Sequence, residues 1–238
     1  MSYKTKQPNG PDAYRQRDLA ICRLAGLYGV GVTESVNATI GGGSNLGHVV
    51  RRMADAGELV LHSRALDGGV SYFQLSEGSC ERVGFPTERG RPLGTQALDK
   101  ALAVLVWCTL SSARRFKIDR AVLQEILPGV RFPTNQVHCV SDEHGRRTVW
   151  RVMLVQGNHE PALKALQQEV LSTTGELQSA IAARQYGFVL LVESIAKQKV
   201  VEAAVERSRI RETALVLVDL SATAKTLAAY LRRRSKSK

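Results

Sequence analysis

Leu46, Val49, Val50, Met53 and Ala54 recur at the i, i+3, i+4, i+7, i+8 spacing of one helical face. That spacing fixes a short amphipathic helix with one side buried. Ser44 is the expected N-cap, and Gly57, after Ala56, the expected left-handed residue beyond the C-terminus. Off the stripe fall Asn45, His48, Arg51, Arg52 and Asp55. Arg pairs with guanine edges or phosphate and Asn with adenine, so this outward face suits a duplex if its back is held by a core.

The flanking segments supply such a core. Ile21, Leu24, Ala25 and Tyr28 predict a first helix over residues 13–28, broken at Gly29 and Gly31. Thr33 is expected to cap a second helix ending near Ile40, and Gly41-Gly42-Gly43 to form a loose turn before the third. Residues 58–65 then alternate, with Leu59 and Leu61 on one face and Val60, His62 and Arg64 on the other. Residues 70–75 answer them across Asp67-Gly68-Gly69, as a hairpin does. Three helices and a hairpin over residues 14–78 make a winged helix-turn-helix. Its candidate DNA-binding residues are Ser44, Asn45, His48, Arg51 and Arg52, with Arg64 on the wing. Winged helices also dock proteins, so an adaptor stands as an alternative. The run from Gly41 to Asn45 is a candidate anion cradle at a helix N-terminus; without a P-loop lysine, it suits a DNA phosphate better than ATP.

Charge agrees with a polyanion partner but does not locate it. The 238 residues carry 33 Lys plus Arg against 22 Asp plus Glu, a net +11. Residues 1–90 hold 10 basic and 9 acidic side chains, so any positive field there is local. The surplus lies later, at Arg114-Arg115, Arg146-Arg147, the Arg207, Arg209 and Arg211 cluster, and the terminal run from Arg232 to Lys238. That terminal run reads equally as a solubilising end or a phosphate-binding arm. Proline, glycine and charge in residues 85–94 mark a linker. The predicted division is a DNA-binding domain over 1–84, a linker with connecting helices over 85–130, and an α/β domain for dimerisation or partner contact over 131–238.

In the second half, residues 95–113 form an apolar helix, either a spine between domains or a dimer contact, and residues 119–127 a helix closed by Pro128-Gly129. A hairpin is predicted from 136–140 and 148–155, with 141–147 as its polar turn, and one long helix from Pro161 to residue 183. Strand 186–192, helix 195–207, strand 214–220 and helix 222–233 follow, implying a parallel pair joined by a crossover. The fold class is therefore α+β, an N-terminal winged helix-turn-helix and a small C-terminal α/β domain with a mixed sheet. Cys22, Cys80, Cys108 and Cys139 form no C-x-x-C pair, which fits reduced thiols. No apolar run spans a bilayer and the first residues are polar, so a cytoplasmic protein without membrane contact is expected.

The order hairpin, helix, strand, helix, strand resembles a restriction-endonuclease-like core. Together with the winged segment, the layout resembles the replication-relaxation family of plasmids and other mobile elements. Residues Tyr72 to Gly78 resemble the exit from the wing, and Val149 to Val155 the central strand. The resemblance implies a bacterial or mobile-element origin. Metal-dependent nucleases of that core need an Asp on one strand and an acid two residues before a Lys on the next. Here the second strand reads Arg151-Val152-Met153-Leu154-Val155-Gln156 without an acid, and Asp142 and Glu143 fall in the expected turn. His138-Cys139, His144 and His159 match no zinc spacing. The reading is thus a non-enzymatic, sequence-specific double-stranded DNA-binding regulator of transcription, replication or transfer, without catalytic residues, metal or cofactor. It is expected to be homodimeric because its sites are two-fold. A divalent-metal nuclease and a protein-docking adaptor are the alternatives.

Overall fold

The computed structural model describes residues 11–143 and 146–236. His144 and Lys238 lie outside the described residues. The chain divides into two compact units, residues 1–94 and 95–238.

The first unit opens with α1 (Pro11–Tyr28), α2 (Thr33–Thr39) and α3 (Gly47–Asp55), followed by the antiparallel strands β1 (Leu59–Leu66) and β2 (Val70–Leu75). Ile21, Ala25, Val36, Leu46, Val49, Val50, Met53, Leu59, Phe73 and Leu75 make its core, so the predicted stripes of α1 and α3 meet each other and one face of the hairpin. Gly31 adds a bridge to β2: it donates to the Phe73 carbonyl at 2.8 Å and accepts from the Phe73 N–H at 2.9 Å. A Cβ on Gly31 would stand 2.3 Å from the Phe73 ring, which explains why glycine occupies the position.

Three local expectations are corrected here. Thr33 is the first residue inside α2 and Val32 its N-cap, because Val32 keeps the extended backbone that a cap needs. Asp67–Gly69 closes the hairpin as a 3-10 turn, and a bulge between His62 and Leu66 interrupts the simple alternation of β1. Residues 85–94 are not a free linker. After α4 (Glu77–Arg82), the Phe85 ring packs so closely on Gly26 that a Cβ there would lie at 2.4 Å, and the buried Gln74 amide donates to the Gly29 and Arg91 carbonyls at 3.3 and 3.1 Å.

The second unit is a five-stranded mixed sheet in chain order, formed by β3 (Arg115–Ile118), β4 (Val137–Glu143), β5 (Arg146–Leu154), β6 (Tyr186–Val192) and β7 (Leu215–Leu220). β3, β4 and β5 run antiparallel, while β5, β6 and β7 run parallel. Strand alternation sends Val140, Val149, Tyr186, Phe188, Leu190 and Val216 to one face. There they pack with α6 (Arg120–Ile126), α7 (Glu160–Leu171), α8 (Gly175–Ala182) and α9 (Ile195–Arg207). α5 (Thr95–Thr109) serves the other face, where the Trp107 indole donates to Asp219 at 2.9 Å and the Cys108 and Cys139 sulfurs lie 3.5 Å apart. The helix expected to connect domains is thus core to this unit, buried from Leu102 to Cys108. The last helix, α10 (Leu227–Lys236), starts five residues later than expected.

Other differences from the sequence reading are equally physical. The expected turn 141–147 is mostly strand, with Asp142 opposite Arg147 and Glu143 opposite Arg146. The single helix expected from Pro161 breaks into α7 and α8, since Gly175 takes a left-handed φ of 63°.

Candidate nucleic-acid interface

The site is built on α3. Leu46, Val49, Val50 and Met53 are buried, and Asn45, His48, Arg51, Arg52 and Asp55 are exposed. The end of α3 is a complete Schellman motif: Gly57, at φ 73°, donates to the Ala54 carbonyl, and Glu58 to that of Met53, at 2.9 Å each. This lock fixes the direction in which the last turn, with Arg51 and Arg52, faces.

The start of the helix departs from expectation. Ser44 does not cap α3, which begins at Gly47 with Leu46 as N-cap. Gly41 is packed so tightly that a Cβ would meet the Ser44 carbonyl at 2.6 Å and that of Asn37 at 2.8 Å. The resulting turn directs the Ser44 N–H to the Gly41 carbonyl. Two side-chain amides serve the helix end instead, Asn37 accepting from the Leu46 N–H at 2.8 Å and Asn45 from the Gly47 N–H at 2.9 Å. The anion cradle expected from residues 41–45 at the front of α3 therefore has its Ser44 N–H, and the following Leu46 and Gly47 N–H groups, already occupied.

The two arginines are not equivalent. Arg51 is exposed, whereas the Arg52 Nη2 donates to Asp18 Oδ2 on α1 at 2.6 Å. Arg52 keeps 52% of its side chain exposed, against 23% for Asp18, so the pair lies at the solvent boundary and is screened. Arg64 sits in the β1 bulge at φ 51°, exposed, with its N–H donating to the Ser71 hydroxyl at 2.9 Å. Asp18 and Asn37 are the residues that sequence reasoning missed. Thirty-four positions separate Asp18 from Arg52, and no local pattern joins them.

Cysteine and histidine chemistry is muted. Burial, then Glu58, pushes the Cys22 thiol up to about 11, away from nucleophilic use. In the second unit His138 and Cys139 project to opposite faces of β4: His138 Nε2 shares a 3.0 Å hydrogen bond with the Tyr186 hydroxyl, while Cys139 turns to Cys108. Burial, then Arg151, lowers His138 to about 3. No group of three potential metal ligands converges among the described residues. Along β4 and β5 the facing residues are Val137 and Val152, His138 and Arg151, Cys139 and Trp150, Val140 and Val149, Ser141 and Thr148. Acids appear only beyond them, where Asp142 and Glu143 stand opposite arginines.

Comparison with protein-family models, with curated proteins and with solved structures gives no match in any of the three. The chain is a mixed α+β protein, with helices and a β-hairpin in its first unit and a helix-flanked mixed sheet in its second. Among its described residues, no helix is long and apolar enough to cross a membrane.

Proposed function

We propose that the protein binds double-stranded DNA through the exposed face of α3, without catalysing a reaction. One observation carries this reading: Asn45, His48, Arg51 and Arg52 stand outward beside a stripe whose large members are all buried. The hairpin that follows offers Arg64 as a wing contact. Arg51, unengaged by an acid, is the principal phosphate or base ligand, and Arg52 joins it by exchanging Asp18 for a phosphate. The process served is the one that the resemblance to the replication-relaxation family implies, regulation of transcription, replication or transfer on a bacterial mobile element, by a cytoplasmic homodimer. The acids of β4, Asp142 and Glu143, stand opposite Arg147 and Arg146 of β5, which supports a binding rather than a nuclease role.

The test is a duplex-binding titration against salt, with and without magnesium. Arg51→Ala is expected to weaken binding about tenfold or more and lower the slope of log affinity against log salt by about 0.9 for each copy bound, the value for one phosphate contact. Arg52→Ala is expected to do less. Unchanged affinity in both variants refutes the assignment. The near-balance of 10 basic and 9 acidic residues in 1–90 favours an adaptor as the second reading, and that reading predicts no duplex binding even at low salt.

A further inference from the structure

We infer that Cys108 and Cys139 are a redox-sensitive pair that closes into a disulfide when a small disulfide such as oxidised glutathione accumulates, tying α5 to β4. The inference does not depend on DNA binding.

Cys108 lies in the last turn of α5 and Cys139 in β4, and their sulfurs stand 3.5 Å apart on the face of the sheet that α5 covers. A disulfide needs about 2.05 Å between sulfurs, so the gap to close is about 1.5 Å, within reach of small rotations about the two Cα–Cβ bonds. The two residues are 31 positions apart in the chain, so the fold makes this contact and local chain geometry does not. Cys22 and Cys80 are buried in the first unit, and neither makes such a contact with another sulfur among the described residues.

Exposure fixes the order of the steps. Cys108 is 5% exposed at a helix end and Cys139 is fully buried, so a small disulfide meets Cys108 when the last turn of α5 opens. The Cys108 thiolate attacks one sulfur of the oxidant, which leaves a mixed disulfide on Cys108 and releases one small thiolate. Cys139 then attacks the Cys108 sulfur, the protein disulfide forms, and the second small thiolate leaves. Two electrons pass from the cysteines to the oxidant, and the two thiol protons end on the two released thiols.

The charges beside the pair serve the second step. Lys117 stands opposite Cys139 in the β3 and β4 pairing, and Arg115 follows on the same face by alternation. Burial, then Cys108, holds the Cys139 thiol well above its ordinary value, while these two cations oppose that rise and favour the thiolate that attacks. The pair therefore responds slowly and stays open while the surrounding thiol pool is reduced. Once closed, the bond constrains the unfolded chain, so the oxidised form is the more stable one.

The test is to hold the full chain in oxidised glutathione and then denature it for thiol counting. The four free thiols are expected to fall to two, with a mass lower by two hydrogens and the tryptic peptides 101–114 and 132–146 joined. Dithiothreitol is expected to restore all four. The oxidised chain is expected to melt at a higher temperature than the reduced one. Cys108→Ser and Cys139→Ser are each expected to abolish the link, and their circular dichroism reports that they fold. Survival of all four thiols after prolonged exposure overturns the inference. So does oxidation that stops at a glutathione adduct, a link through Cys22 or Cys80, or an oxidised chain that melts below the reduced one.

Discussion

A neutral imidazole inside a sheet is a pH-dependent liability, and His138 is the residue where this protein carries one. It is 4% exposed, edge-on to Phe132 at 4.9 Å, bonded to Tyr186, and beside the Arg151 guanidinium. Its folded value of about 3 lies below the ordinary 6.5. Between those values the unfolded chain binds a proton that the folded chain refuses, so stability rises with pH across this window and is lost as pH falls through it. The full effect is on the order of a few kcal/mol. His138→Gln, which keeps a hydrogen-bonding partner for Tyr186, is expected to cost about 1 kcal/mol at pH 7 and to flatten the fall in urea midpoint between pH 6.5 and 4 relative to wild type. Equal pH slopes in the two proteins would remove the assignment. Spacing alone set His138 and Cys139 aside as zinc ligands in the sequence. Once β4 is a strand, alternation sends them to opposite faces and each finds a different partner.

Among the elements, α3 is the one whose C-terminal stop was read correctly from local sequence, and that lock is open to measurement. The space around a Cβ on Gly57 is empty within 4 Å, so Gly57→Ala tests the left-handed backbone alone. The expected loss is about 1–2 kcal/mol, read from the urea midpoint, with Gly57→Asn costing less. A loss no larger than that of an exposed alanine elsewhere contradicts the role given to the motif. The α3 stripe, the Gly57 stop, β6 and α9 were legible because each has one period or one stop signal acting over a short range. Others were not. β3 is four residues, Arg115-Phe116-Lys117-Ile118, with Phe116 40% exposed, so it carries too little apolar pattern to announce a strand and exists because β4 pairs with it. The break between α7 and α8 hid for the opposite reason. Leu163, Leu166 and Val170 continue in phase to Leu177 and Ile181, so periodicity runs through a gap that only Gly175 marks. At the front of α3, Ser44 had the right residue type, but backbone packing around Gly41 decided the turn and gave the cap to Asn37 and Asn45.

At the scale of the molecule, charge and architecture are divided differently between the two units. Each unit has its own apolar core, one built from α1, α3 and the hairpin, the other from the five-stranded sheet and its helices. Residues 1–94 hold 11 basic and 9 acidic side chains, so nearly all of the +11 belongs to residues 95–238. A separate core predicts that residues 1–94, produced alone, unfold in one cooperative urea transition, and the division of charge then becomes a functional measurement. If the α3 face supplies the phosphate contacts, the excised unit binds duplex with about half the salt slope of the dimeric full chain, the same slope per α3 face, and its affinity falls where dimerisation had coupled two half-sites. If the arginines of α10 act as an arm, the slope drops by about 0.9 for each contact removed. A full-length chain with Arg232, Arg233 and Arg234 changed to Ala completes the comparison: an unchanged slope assigns the surplus charge of the second unit to solubility, and a slope reduced by two or more makes α10 a second DNA-binding element.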